Sequence, residues 1–323
     1  MAGRPAAVSA AAQERLGLLC AGLCALNGAF VPAVAKLTTG RADALFVAAV
    51  SNLFAAAAAA SALWLRGELH AVMQRGRAWQ LFAVGTLGTA VAHLLFYLGA
   101  SRTTAIVATL CLQIEPAYAL LLAWVVLGHR LTGRRLLATL LLLSGIGLAL
   151  GASRLEASGG AWFLLATPIC WQLSHLIVLR RLGGVPPLVL TGARYIYGGI
   201  VLTLLWLSVG TRATLPGASE LVTLLPLLAL QGAVLGYVGT LFWYQAITRI
   251  DLARTTAIVV PSIPVLSLAA SFLLLGEVAS ARQWLGLLLT AAGIATFVTA
   301  PHEGQLAPPV QRSALSVRRS PRI

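Results

Sequence analysis

Residues 104–127 read TAIVATLCLQIEPAYALLLAWVVL, twenty-four positions with one charged side chain, Glu115, and a proline directly after it. A helix rises about 1.5 Å per residue, so this stretch is about 36 Å long, enough to cross the ~30 Å hydrocarbon core of a bilayer. It is apolar nearly all round, which suits lipid better than water. Reading outward for similar runs gives ten, at roughly 16–35, 43–65, 79–100, 104–127, 136–152, 160–179, 187–209, 220–246, 255–275 and 284–300. Short connections hold nearly all of the charge.

Composition agrees. Of 323 residues, 59% are hydrophobic and 10% charged, with mean hydropathy +0.88. Ordinary soluble domains carry roughly 25% charged residues. The formal charge of +14 would point to nucleic acid in a soluble protein. Here the basic residues stand singly or in pairs between apolar runs, without interleaved aromatics, so they read as topology signals and nucleic acid is not expected as a partner. Cys20, Cys24, Cys111 and Cys170 all fall inside apolar runs, in neither CxxC pairs nor metal spacing, and read as small buried hydrophobes.

The charges also orient the chain. With the N-terminus cytoplasmic, inside segments hold sixteen of the 23 Lys and Arg and outside loops hold six, while Arg194 lies within a span. That is the positive-inside bias, and an odd number of spans would scramble it. The first apolar run could imitate a signal peptide, but nine more follow, so it reads as a retained span. The expected layout is a cytoplasmic segment 1–15, a five-helix unit 16–152, a second 160–300, and a disordered basic cytoplasmic tail 301–323.

The two units repeat. Pro116-Ala117-Tyr118, Leu127-Gly128-His129 and Ser144-Gly145-Ile146 correspond, at one offset of 148, to Pro264-Val265-Leu266, Leu275-Gly276-Glu277 and Ala292-Gly293-Ile294. Ala105 pairs with Ala253 at the same offset. Five is odd, so the second copy must enter the membrane from the opposite side. Duplicated halves about an in-plane axis are common in secondary transporters, where one half rocks against the other around a central site. The fold class expected is all-α integral membrane, ten transmembrane helices as two inverted five-helix repeats.

The proline in the fourth span of each copy, the Leu-Gly-Glu at 275–277 and the small-residue motifs around Gly145 and Gly293 resemble the EamA-type members of the drug/metabolite transporter superfamily. The resemblance covers about residues 16–300. One position departs from it: His129 stands where the family pattern has Glu. The resemblance implies a permease that exports or exchanges small metabolites, amino acids or drugs across a cell or inner membrane.

Ionisable groups at membrane depth cost about 2.5–3.5 kcal/mol each on insertion scales, so the few present are informative. Glu115 is the one acidic residue deep in any span. On a continuous helix it shares a face with Thr104, Ala108, Cys111 and Tyr118. It reads either as a proton- or cation-binding carboxylate or as a hydrogen-bonded clip between helices. His93 and His175 can accept a proton or bind an anion, or stand as satisfied interior histidines. Arg194 suits a substrate carboxylate or Glu115, or snorkels to the interface. Trp171, Asn27, Gln231, Gln113, Tyr97, Trp243 and Tyr244 complete a set that could line a cavity. Pro261 and Pro264 predict a bent ninth span.

There is no HExxH, GxSxG or P-loop, so an enzyme is not expected, nor a metal or cofactor. The expected partners are a small-molecule substrate, the lipid bilayer and protons as coupling ion, in a monomer or homodimer. A flippase for a lipid-linked carrier, or its subunit, is the rival reading.

Overall fold

The computed structural model describes residues 10–74, 76–128, 131–151, 159–209, 215–250 and 252–298. The expected tail 301–323 and most of the expected segment 1–15 lie outside the described residues. The long helices are α1 (Ala10–Thr39), α2 (Ala44–Leu65), α3 (Ala78–Arg102), α4 (Ala105–Leu112 continuing as Glu115–Leu127) and α5 (Gly133–Leu150). They continue as α6 (Gly160–Arg181), α7 (Pro187–Val209), α8 (Ala218–Ile250), α9 (Leu252–Leu275) and α10 (Ala281–Val298). Among the described residues, nine helices, α1 to α9, are long and apolar enough to cross a membrane. Large apolar side chains such as Leu65, Leu179, Leu204 and Leu273 stand exposed on the outside of the bundle, where acyl chains would solvate them.

The most extensively packed pairs are α2 with α7 and α5 with α10, α1 with α8 and α9, α6 with α3 and α4, α2 with α8, and α3 with α7. Exchanging each helix for the one five places along returns the same set. Small residues allow these approaches, as they do wherever helices meet without a hydrophobic drive between them. On α5 and α10 a Cβ at Gly145 would lie 2.6 Å from the Gly286 carbonyl oxygen, and a Cβ at Gly286 2.5 Å from that of Gly145. Gly232 of α8 leaves room for the Ser51 carbonyl of α2.

Three helices are irregular. A π segment interrupts α3 at Thr86–Val91 and another interrupts α8 at Leu230–Val238, corresponding positions in the two units. In α4 the continuous helix expected from sequence breaks. Pro116 has no N–H for the Leu112 carbonyl, and the chain tightens instead, with Gln113 N donating to Leu110 O and Ile114 N to Cys111 O, each at 3.2 Å. The face expected to join Glu115 to Thr104 and Cys111 is therefore interrupted. In α9, where a bend was expected, the helix runs through Pro261 and Pro264.

At one end of the bundle the helices are tied together. Lys36 Nζ at the end of α1 donates to the Ser101 carbonyl at the end of α3, at 3.2 Å. At the same end Glu277, following α9, accepts from the backbone of α4. Besides its main partners, α1 packs on α3 and α4. Among the described residues α6 makes no comparable contact with α8 or α9.

Candidate functional site

The scarce polar groups gather between α3, α4, α6 and α7. The break in α4 sets Glu115 at the start of its second half, and its Oε1 accepts from Gln172 Nε2 of α6 at 2.9 Å. Trp171 and His175 lie within a turn of Gln172 on α6, and the indole Nε1 of Trp171 is buried without a partner. Arg194 of α7 turns inward, away from the interface. Its Nη2 donates to the Gly88 carbonyl at 2.6 Å and its Nε to Thr89 Oγ1 at 3.2 Å, both in the π segment of α3. A wider π turn leaves backbone carbonyls off the α-helical ladder, and the guanidinium takes one of them.

Glu115, His93, His175 and Tyr244 all lie within electrostatic reach of the Arg194 guanidinium. No ion pair joins Glu115 to Arg194. Each of the five keeps some accessible surface.

His93, two residues beyond the π segment, meets Asn52 of α2, with Nδ1 and Oδ1 2.8 Å apart. Tyr97 lies on the same face of α3, and its hydroxyl accepts from Ser51 Oγ at 3.2 Å.

Two residues expected in the cavity also bond across helices. Asn27 of α1 donates from Nδ2 to the Val234 carbonyl at 3.1 Å, in the π segment of α8. Gln231 of α8 accepts from Thr38 Oγ1 of α1 at 2.9 Å. Both clasp α1 to α8. Tyr118 is half-buried and packs against the main apolar core. Gln113 is buried at the break in α4. The sequence reading passed over Asn52 and Gln172, and set Thr89 on one stripe with His93 and Tyr97. Asn52 had one signal, a carboxamide in an otherwise Ala-rich span.

Long apolar spans around a cluster of inward polar groups describe a multi-pass membrane protein. The profile of the EamA-like transporter family matches the chain twice, over residues 15–151 and 158–299, and the chain belongs to that family. An uncharacterized protein of Pseudomonas aeruginosa is 32% identical over 58% of this chain and 62% of its own, so the match spans less than two thirds of that relative. A probable terminal-alkyne amino-acid exporter of Streptantibioticus cattleyicolor is 29% identical over 71% of this chain and 76% of its own. An uncharacterized transporter of Bacillus subtilis is 24% identical over 69% and 73%. A solved crystal structure with 18% identity superposes with a TM-score of 0.61, covering 88% of this chain and 98% of that one, and so shares the fold.

Proposed function

We propose that the protein is a secondary-active permease that exports or exchanges a small metabolite, of amino-acid type, by alternating access. The observation that carries this is a separation: the Glu115 carboxyl and the Arg194 cation lie within electrostatic reach yet form no ion pair, as groups lining one chamber would. Unpaired charges at membrane depth are costly, and a zwitterion brings the complement of both. Its carboxylate would meet the Arg194 fork and its ammonium Glu115, with Trp171 Nε1 as a further donor. The naming of the Streptantibioticus cattleyicolor relative as a probable terminal-alkyne amino-acid exporter agrees with that chemistry.

Alternating access draws support from the packing. In this reading α10 is the tenth span, both termini are cytoplasmic, and the halves are inverted repeats in a cell membrane. The tied end, where Lys36 and Glu277 act, then faces outward. The gap between α6 and α8–α9 opens inward, loading substrate from the cytoplasm. Coupling to protons rests on Glu115 and His93. On this reading an ion or substrate gradient supplies the drive.

The test is counterflow of radiolabelled neutral amino acids into proteoliposomes, with and without a pH gradient. Glu115→Gln should keep the Gln172 contact yet uncouple transport from pH. Unchanged coupling in that variant sinks the proton reading, and no counterflow of any zwitterion sinks the substrate reading.

A further inference from the structure

The orientation of one buried amide fixes which nitrogen of His93 is free. Asn52 is 2% exposed, and its Nδ2 donates to the Ala48 carbonyl of its own helix at 2.8 Å. That bond sets the sense of the amide, because turning it over would place carbonyl oxygen against carbonyl oxygen. Oδ1 therefore points to α3, where His93 Nδ1 lies 2.8 Å away. A carboxamide oxygen only accepts, so Nδ1 carries hydrogen. In the neutral imidazole the bare lone pair is then on Nε2. Nε2 has no hydrogen-bond partner among the described residues, and His93 keeps accessible surface.

The surroundings hold this arrangement. The rings of Tyr97 and Tyr195 each stand 6.2 Å from the imidazole. Tyr97 is tied to Ser51 and Tyr195 to Thr240, the latter at 3.1 Å. Helix α7 presses on the backbone of Asn52, since a Cβ at Gly199 would lie 2.9 Å from the Asn52 carbonyl oxygen.

We infer that Asn52 is a positioning residue that makes His93 a proton acceptor at Nε2 alone, facing the chamber. The proton comes from chamber water or a substrate ammonium and forms the Nε2–H bond. It leaves by the same route, and the Nδ1–H bond to Asn52 persists in both states because both nitrogens of imidazolium donate. Loading therefore requires no rearrangement against α2. The titratable and charged groups sharing the space are Arg194 and Tyr195 of α7, Tyr97 of α3, Glu115 of α4, His175 of α6 and Tyr244 of α8. The tautomer stands on the geometry; its role in coupling rests on the transport reading above.

The experiment is nitrogen-15 NMR of full-length protein labelled at histidine, in lipid nanodiscs, with His93→Gln assigning the signals. At alkaline pH the wild type should show protonated Nδ1 and bare Nε2, and Asn52→Leu should mix the two tautomers. Asn52→Asp, which sets a carboxylate against the imidazolium, should move the pH midpoint of amino-acid counterflow at least one unit toward alkaline, while Asn52→Gln partly restores the wild-type profile. A wild-type spectrum with protonated Nε2 and bare Nδ1, or a pH profile that Asn52→Asp leaves in place, would overturn the inference. The expected spectrum in a protein that carries no substrate would support the tautomer and count against the transport reading alone.

Discussion

Glu277 is separated from Ala105 by 172 residues, yet its carboxylate lies 3.1 Å from the Ala105 amide nitrogen. The second oxygen takes the Ile106 N–H at the same distance, and Thr104 Oγ1 takes that of Val107 at 3.2 Å. Three of the four free N–H groups at the start of α4 are thereby satisfied, two of them by Glu277. The left-handed turn at Gly276, φ +65°, brings the carboxylate across. Carboxylates at helix N-termini also meet the positive end of the helix dipole. Replacing Glu277 with Ala should cost about 1–2 kcal/mol, as losing an N-cap does, read as a lower denaturation midpoint in detergent. Gln, which keeps one acceptor, should lose less.

Lys36 and Glu277 close the same end of the bundle by independent bonds. The pair Lys36→Met with Glu277→Ala should shift the population toward the state open at that end. Cysteines introduced near Thr104 should then react faster with membrane-impermeant thiol reagents added outside. Unchanged reactivity would show that neither bond holds the closed state.

Arg194→Lys keeps the charge but gives up the planar fork that spans Gly88 and Thr89. Lysine cannot reproduce two fixed, parallel donors. Half-saturation for an amino acid in counterflow should rise about tenfold, a loss of roughly 1.4 kcal/mol, with maximal rate changed less. A methyl ester of the same substrate should be nearly insensitive to the substitution.

Gly286→Leu would drive a side chain into the Gly145 backbone of α5. Overpacking costs typically 1–3 kcal/mol, and here rigid backbone stands opposite. Folded yield and thermal midpoint should both fall, while Gly147→Leu, at a position open on the outer side of α5, should be close to neutral.

Much of this molecule is written one helix at a time, and those parts are legible in the sequence. Spans follow from hydrophobic length alone, and the repeat from motifs at a fixed offset. Glu115, His93 and Arg194 stand out because charge is scarce among leucines. Partners across helices are harder to read. Asn52 lies 41 residues from His93, and Gln172 lies 57 from Glu115. No periodicity links them; only packing does. Asn27 and Gln231 show the converse, since polarity within a span told nothing of whether it faced the chamber or a neighbouring helix. Pro116 announced a disturbance in α4, but placing the break at 113–114 required the full backbone.

The π segment at Thr86–Val91 fixes the rotational phase of everything after it in α3. A π turn holds one residue more than the α-helical count, so straightening it with every residue kept would wind the downstream helix by about 100°. His93 and Tyr97 would then swing together toward a different neighbour, with the span still long enough to cross the bilayer. Deleting one residue along with the π turn would bring both back into phase, so the widened turn, and not the length of the span, aims the interior wiring.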